Sequence, residues 1–155
     1  MILKTEFIQR MEPYLDFVQS LETIAEGAWT SPLAEGKWRV CDVISHMMLW
    51  DRRFMEMTIE PIALGTPLTY KSTDFHAFNR SAAVYASQVS KDQLLGEALR
   101  VREQILAYLR DIPEAKYAES FLDGDGHPFT LPAYVEDFAE HDHHHSEQIR
   151  QLLNL

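Results

Sequence analysis

Cysteine is almost absent from this chain. Cys41 is the only one in 155 residues, so no intrachain disulfide can form and the fold must rest on packing. A reduced compartment fits that usage, and the expectation is a cytoplasmic protein. Long apolar runs are missing too. No stretch approaches the ~20 residues needed to span a bilayer. The opening M-I-L-K-T-E-F-I-Q-R-M-E has neither the apolar core nor the small-residue cleavage site of a signal peptide. Basic charge is short: 14 Lys and Arg stand against 24 Asp and Glu, a formal net charge of −10. That surplus argues against nucleic acid or an anionic membrane surface as partner. Strand signals are weak as well, since no segment alternates apolar and polar residues over a strand's length.

What the chain does have is helical periodicity. Apolar residues are 46% of it, enough for a real core, and the length suits a single domain over residues 1–155. Phe7, Met11, Leu15, Val18 and Leu21 step by three or four and predict a helix from Leu3 to about Ile24, kinked or delayed at Pro13. Val43, His46 or Met47, Trp50, Phe54 and Met57 predict a second from Arg39 to about Glu60, ending before Pro61. Thr73 or Asp74 can cap a helix through Phe75, Phe78, Ala82 and Tyr85, and Ser90 another over Lys91–Asp111. These two read as one interrupted third arm. D-G-D-G at 123–126 marks a turn and allows a small hairpin. Thr130 caps the last helix, with Pro132 in its first turn. The expected fold is all-α, a four-helix bundle.

The last helix holds the densest chemistry. D-F-A-E-H-D-H-H-H-S-E-Q-I-R-Q-L-L-N-L contains His141, His143, His144 and His145. Extending the Tyr134, Phe138, Ile149, Leu152, Leu153 stripe leaves slots at 141, 145 and 148. His141 and His145 therefore share one face, one turn apart, and can present two imidazoles to one point. His143 falls toward water and His144 at the edge. A catalytic metal site wants a third ligand and an open position, and His46 points inward on the second helix. Asp42, Asp51, Glu140 and Asp142 stand near enough in sequence to orient these rings. A lone inward histidine is more often a hydrogen-bonded core residue than a ligand, but two in register need shared compensation. His76, His127 and Cys41 read as ordinary surface and core residues. Trp50, Phe54 and the methionines 47, 48, 55 and 57 read as a soft pocket wall or as plain core.

Two segments also carry a family resemblance. G-K-W-R-V-C-D-V-I-S-H-M-M-L-W-D, with Trp38 eight residues before His46, resembles the second helix of the DinB-like (DinB/YfiT) superfamily. T-L-P-A-Y-V-E-D-F-A-E-H-D-H-H-H-S-E-Q-I-R-Q-L-L resembles its last helix. The chain departs from the pattern at Arg39, where a Ser or Thr cap is common. The resemblance implies a four-helix bundle, often a homodimer, in which His46, His141 and His145 hold a divalent metal, zinc or nickel. It implies a thiol-dependent S-transferase or related hydrolase acting on a small-molecule substrate with a low-molecular-weight thiol. The alternative is a non-catalytic small-ligand-binding or stress-response module with a structural or vestigial metal site.

Overall fold

A computed structural model describes residues 2–155 and shows four helical arms. The first is α1 (Lys4–Met11) followed by α2 (Pro13–Ser20). Pro13 sits in the first turn of α2, where its missing N–H costs least, so the expected kink is a restart of the helix. After a short α3 (Glu26–Trp29), the second arm runs through α4 (Val40–Phe54), a wide π turn (Met55–Ile59) and α5 (Glu60–Leu64). It thus passes Pro61 instead of ending before it. The π turn resets the hydrogen-bond register, so Pro61 falls in the first turn of the following segment. Gly65 then closes the arm with φ 72°, a left-handed cap that glycine adopts freely.

The next two helices correct the expectation of one interrupted arm. α6 (Phe75–Gln88) and α7 (Lys91–Asp111) are separate helices with a sharp bend between them, and each packs on α4. Twelve residues along a straight helix span about 18 Å, yet the Tyr85 hydroxyl meets the Glu97 carboxylate at 2.5 Å. Val89 leaves the helix in an extended conformation, and the Ser90 hydroxyl accepts from the Gln93 N–H to start α7. α7 is the third arm. α6 is a crossover helix packed on α4, with the Ser45 hydroxyl donating to the Ala82 carbonyl at 2.7 Å.

After α8 (Glu114–Tyr117) comes the small hairpin, β1 (Phe121–Leu122) paired antiparallel with β2 (Pro128–Phe129). Its turn clamps the linker that leads into α6. The Gly124 N–H donates to the Tyr70 carbonyl at 2.6 Å, and a Cβ there would stand 2.8 Å from the same oxygen. α9 (Leu131–Leu153) is the fourth arm, capped by the Thr130 hydroxyl. The first arm and α4 each pack against both α7 and α9. No helix among the described residues is long and apolar enough to cross a membrane.

Arg102 of α7 sits at the centre and touches every arm. Its side chain is fully buried. It donates to both Asp51 oxygens at 2.8 and 3.0 Å, to both Asp142 oxygens at 2.7 and 3.3 Å, and to the Met11 carbonyl at 3.1 Å. The Tyr14 ring lies 3.9 Å from the guanidinium carbon. One apolar cluster, with Phe7, Phe54, Ile105 and Val135, lies toward one end of the bundle, and another, with Phe17, Ile44, Leu94 and Ile149, toward the other.

Candidate metal centre

His46 stands on the buried face of α4, while His141 and His145 stand on α9 one turn apart. The deepest face of α9 is Leu131, Val135, Ala139, Asp142, Ser146 and Ile149. His141 and His145 flank that face at its edge, rather than filling slots in the core. Their position follows from the helical pitch. Turning both histidines fully inward would push Asp142 off Arg102. The edge position leaves the rings in reach of solvent and of α4 together.

The three rings converge through the same atom. His46 Nε2 lies 2.9 Å from His141 Nε2, and His145 Nε2 lies 3.0 Å from it. A neutral imidazole nitrogen carries one hydrogen or one in-plane lone pair. His141 Nε2 therefore cannot satisfy both neighbours with well-directed hydrogen bonds. Three crowded nitrogens could instead serve as the donor set of a metal ion. Zinc–nitrogen bonds of ~2.0–2.1 Å in tetrahedral geometry place ligand nitrogens about 3.3 Å apart, a small outward adjustment from the distances here. No fourth His, Cys, Asp or Glu among the described residues joins the cluster.

Burial keeps these rings neutral. Desolvation first, then the neighbouring His141 and His145, pushes His46 down to about 3. Desolvation and His145 push His141 down to about 4. His145 is lowered as well, chiefly by burial. Neutral rings have free lone pairs, which is what a cation requires.

The expected orienting carboxylates are occupied elsewhere. Asp42 accepts from the Arg39 backbone N–H and guanidinium, which supplies the cap that Arg39 was expected to lack. Asp51 and Asp142 hold Arg102, and Glu140 is exposed. The partner that sequence reasoning missed is Gln148, whose Oε1 lies 3.0 Å from His145 Nδ1. Its signal was available, since 148 is the third slot on the expected stripe. Holding Nδ1–H leaves the Nε2 lone pair facing the cluster. Gln148→Ala will weaken metal affinity roughly 10- to 100-fold, measured by competition with a chromogenic chelator. An unchanged affinity would remove Gln148 from the site. His46 Nδ1 is buried without a hydrogen-bond partner among the described residues. Nearby Asn79 Oδ1 already accepts from the Trp50 indole N–H at 3.1 Å. Trp38 packs on the His46 ring at 5.1 Å between centroids.

Two cavities open on the cluster. One of about 370 Å³ is bounded by His46 and His141, walled by Trp50, Phe75, Tyr134 and Phe138, and edged by Asn79 and Asp137. The other, about 680 Å³, touches His145 and contains Lys37, Trp38, Gln148 and Gln151. Of the expected soft wall only Trp50 lines the first cavity, because Phe54, Met47, Met48 and Met55 are core. His143 and His144 are exposed and stand outside the cluster, as do His76 and Cys41. His127 groups with Asp123 and Asp125 in the exposed hairpin turn.

Comparison with solved structures identifies the same fold at low identity. YfiT from Bacillus subtilis, described as a probable metal-dependent hydrolase with an unusual four-helix bundle topology, superposes with a TM-score of 0.75 at 20% identity. The match covers 96% of this chain and 85% of YfiT. A mycothiol-dependent maleylpyruvate isomerase gives 0.72 at 13% identity over 96% of this chain, but the chain spans only 61% of that enzyme. The colibactin self-resistance protein ClbS, in complex with a dsDNA, gives 0.72 at 14% identity, covering 97% of this chain and 94% of ClbS. ClbS corrects the exclusion of nucleic acid drawn from the −10 charge. A protein of this fold engages a duplex, and net charge is a whole-chain sum that does not report a local surface. No curated protein sequence matches the chain. The family profile of the DinB superfamily matches residues 14–149, most of the chain, so this protein belongs to the DinB superfamily.

Proposed function

We propose that residues 1–155 form one DinB-like domain working as a divalent-metal-dependent enzyme, a thiol-dependent S-transferase or related hydrolase. In this reading His46, His141 and His145 are the metal ligands. The observation that carries it is the convergence of the three Nε2 atoms with no fourth protein ligand beside them. Closed structural sites use four protein ligands, whereas catalytic ones keep a position open. A bound zinc or nickel ion would supply a Lewis acid that lowers the pKa of a thiol or water at that position.

The chain's own residues prepare the site for that chemistry. Gln148 fixes the His145 ring, and Trp38 packs against His46. The aromatic walls give one side of the centre an apolar lining, and a thiol bearing its own polar groups has room in the cavity beside Lys37. The names of two fold relatives, a probable metal-dependent hydrolase and a mycothiol-dependent isomerase, support the metal and the thiol respectively. The missing fourth ligand weighs against a purely structural metal in a non-catalytic module.

The test is metal content of untagged protein purified without immobilised-metal resin, for wild type and His145→Ala. About one metal per chain in wild type and almost none in the variant is expected for a three-histidine site. Absence of metal in both, with no uptake from added zinc or nickel, would overturn the reading.

A further inference from the structure

The larger cavity, about 680 Å³, departs from the charge of the chain as a whole. Acidic side chains number 24 against 14 basic ones, yet no carboxylate among the described residues lines this cavity. Its one formally charged side chain is Lys37, which makes no ion pair among the described residues. The polar groups beside it are donors as well. The Trp38 indole nitrogen also lines the cavity and can only donate. Gln148 has its Oε1 on His145 Nδ1 at 3.0 Å, so its amide N–H groups are the part left for another partner.

These donors are carried by structured segments. Lys37 and Trp38 end a closed turn, in which the Leu33 N–H donates to the Trp38 carbonyl at 2.8 Å and the Lys37 N–H to the Ala34 carbonyl at 3.0 Å. Gly36 allows that turn with φ 71°. On α9, His145, Gln148 and Leu152 are spaced three and four apart and share one face. From His145 to Leu152 that face runs about 10 Å. Leu33, Val43 and Leu152 give the cavity apolar walls between its polar groups. The cavity thus begins at the histidine cluster, continues past aliphatic side chains, and offers an ammonium and two kinds of N–H donor. A metal ion on His145 would add positive charge at the same cavity.

We infer that this cavity binds a small thiol that carries a carboxylate, with the carboxylate held by Lys37 and the N–H donors of Trp38 and Gln148. Placing the sulfur at the histidines rests on the metal-centre reading; placing the carboxylate rests on the cavity lining alone. A thiolate and a carboxylate then each meet positive charge. A cationic ligand end would face Lys37 with no carboxylate in the lining to receive it. Lys37 is the residue that selects for negative charge.

Calorimetric titration tests this with three thiols of one chain length: 6-mercaptohexanoate, the neutral 6-mercaptohexanamide and the cationic 6-aminohexane-1-thiol. Each is titrated into metal-loaded protein and into protein treated with chelator. The acid is expected to bind about tenfold more tightly than the amide in metal-loaded protein, and the amine most weakly. Lys37→Met should cut that preference to about threefold or less, and Lys37→Arg should keep it. Lys37 is exposed, so neither variant disturbs the core. Equal binding of acid and amide, tightest binding of the amine, no binding of the acid, or a full preference surviving in Lys37→Met would each overturn the inference. Metal content of the same samples keeps the two readings apart. A Lys37-dependent preference for the acid in protein that takes up no metal defeats the metal centre alone. Stoichiometric metal with no charge preference defeats the carboxylate site alone.

Discussion

Arg102→Met will destabilise the protein by about 3–5 kcal/mol in urea unfolding, enough to leave it partly unfolded at room temperature. The guanidinium is the shared partner of Asp51 and Asp142, and it also holds the Met11 carbonyl and faces the Tyr14 ring. Methionine restores the volume and none of the charge. It leaves two buried carboxylates beside each other with nothing to compensate them. Burial already pushes Asp51 up to about 6 even with Arg102 present. The control is the triple variant Arg102→Met, Asp51→Asn, Asp142→Asn. Replacing every charge of a buried network together is far milder than removing one partner, so this variant should recover much of the loss. If Arg102→Met unfolds at the wild-type urea concentration, the network is not what joins the arms.

Removing metal will lower stability by about 4 kcal/mol when free metal stands at 1,000 times its dissociation constant. The chelator effect should vanish in His46→Ala. Acid should have a related effect on the metal-free protein. The unfolded chain protonates its histidines near pH 6.5, whereas folding holds His46 down to about 3 and His141 down to about 4. The unfolded state therefore binds more protons, and stability is present above pH 6.5 and lost as pH falls toward 4. Asp51 works the other way. Its folded pKa of about 6 lies above the usual carboxylate value, so its charge costs stability above pH 6 and acid relieves that cost. Three depressed histidines outweigh one raised carboxylate, and the melting temperature of metal-free protein should fall between pH 6.5 and 4.5. A flat profile over that range would contradict the desolvation of the cluster. Metal-loaded protein should lose its chelator sensitivity in the same window, because the ligands must be deprotonated to bind.

The long helices were legible because each buries a stripe, and stripes repeat in sequence, whereas the short α3 and α8 left no such stripe. Phe7, Met11 and Val18 of the first arm are buried as their spacing required, and so are Val43, Met47 and Phe54 of the second. Caps were legible for the same local reason. The Ser90, Thr130 and Asp74 side chains each accept from a backbone N–H three residues on. The three histidines were legible because i, i+4 spacing on one helix leaves a single inward histidine elsewhere to complete a set. The carboxylates were not. Asp42, Asp51 and Asp142 lie beside histidines in sequence, yet each turns to an arginine. Two of them share Arg102, 51 and 40 residues away. A long-range ion pair leaves no periodic trace, so nothing local distinguishes it from support for a ligand.

The path of α6 was hidden for a related reason. A two-residue break at Val89 and Ser90 reads the same whether the chain bends slightly or sharply. Contacts of Ser45 with Ala82 and of Tyr85 with Glu97 decide which. Packing of α6 on α4 brings Phe75 and Asn79 to the cavity beside His46 and His141. Local spacing alone determined that this chain makes helices and which histidines could face one another, because pitch and burial act within a few residues. Tertiary packing alone decided which side chains surround those histidines and line the cavity beside them. Those depend on where distant segments meet, and on how charge and solvent are shared once they do.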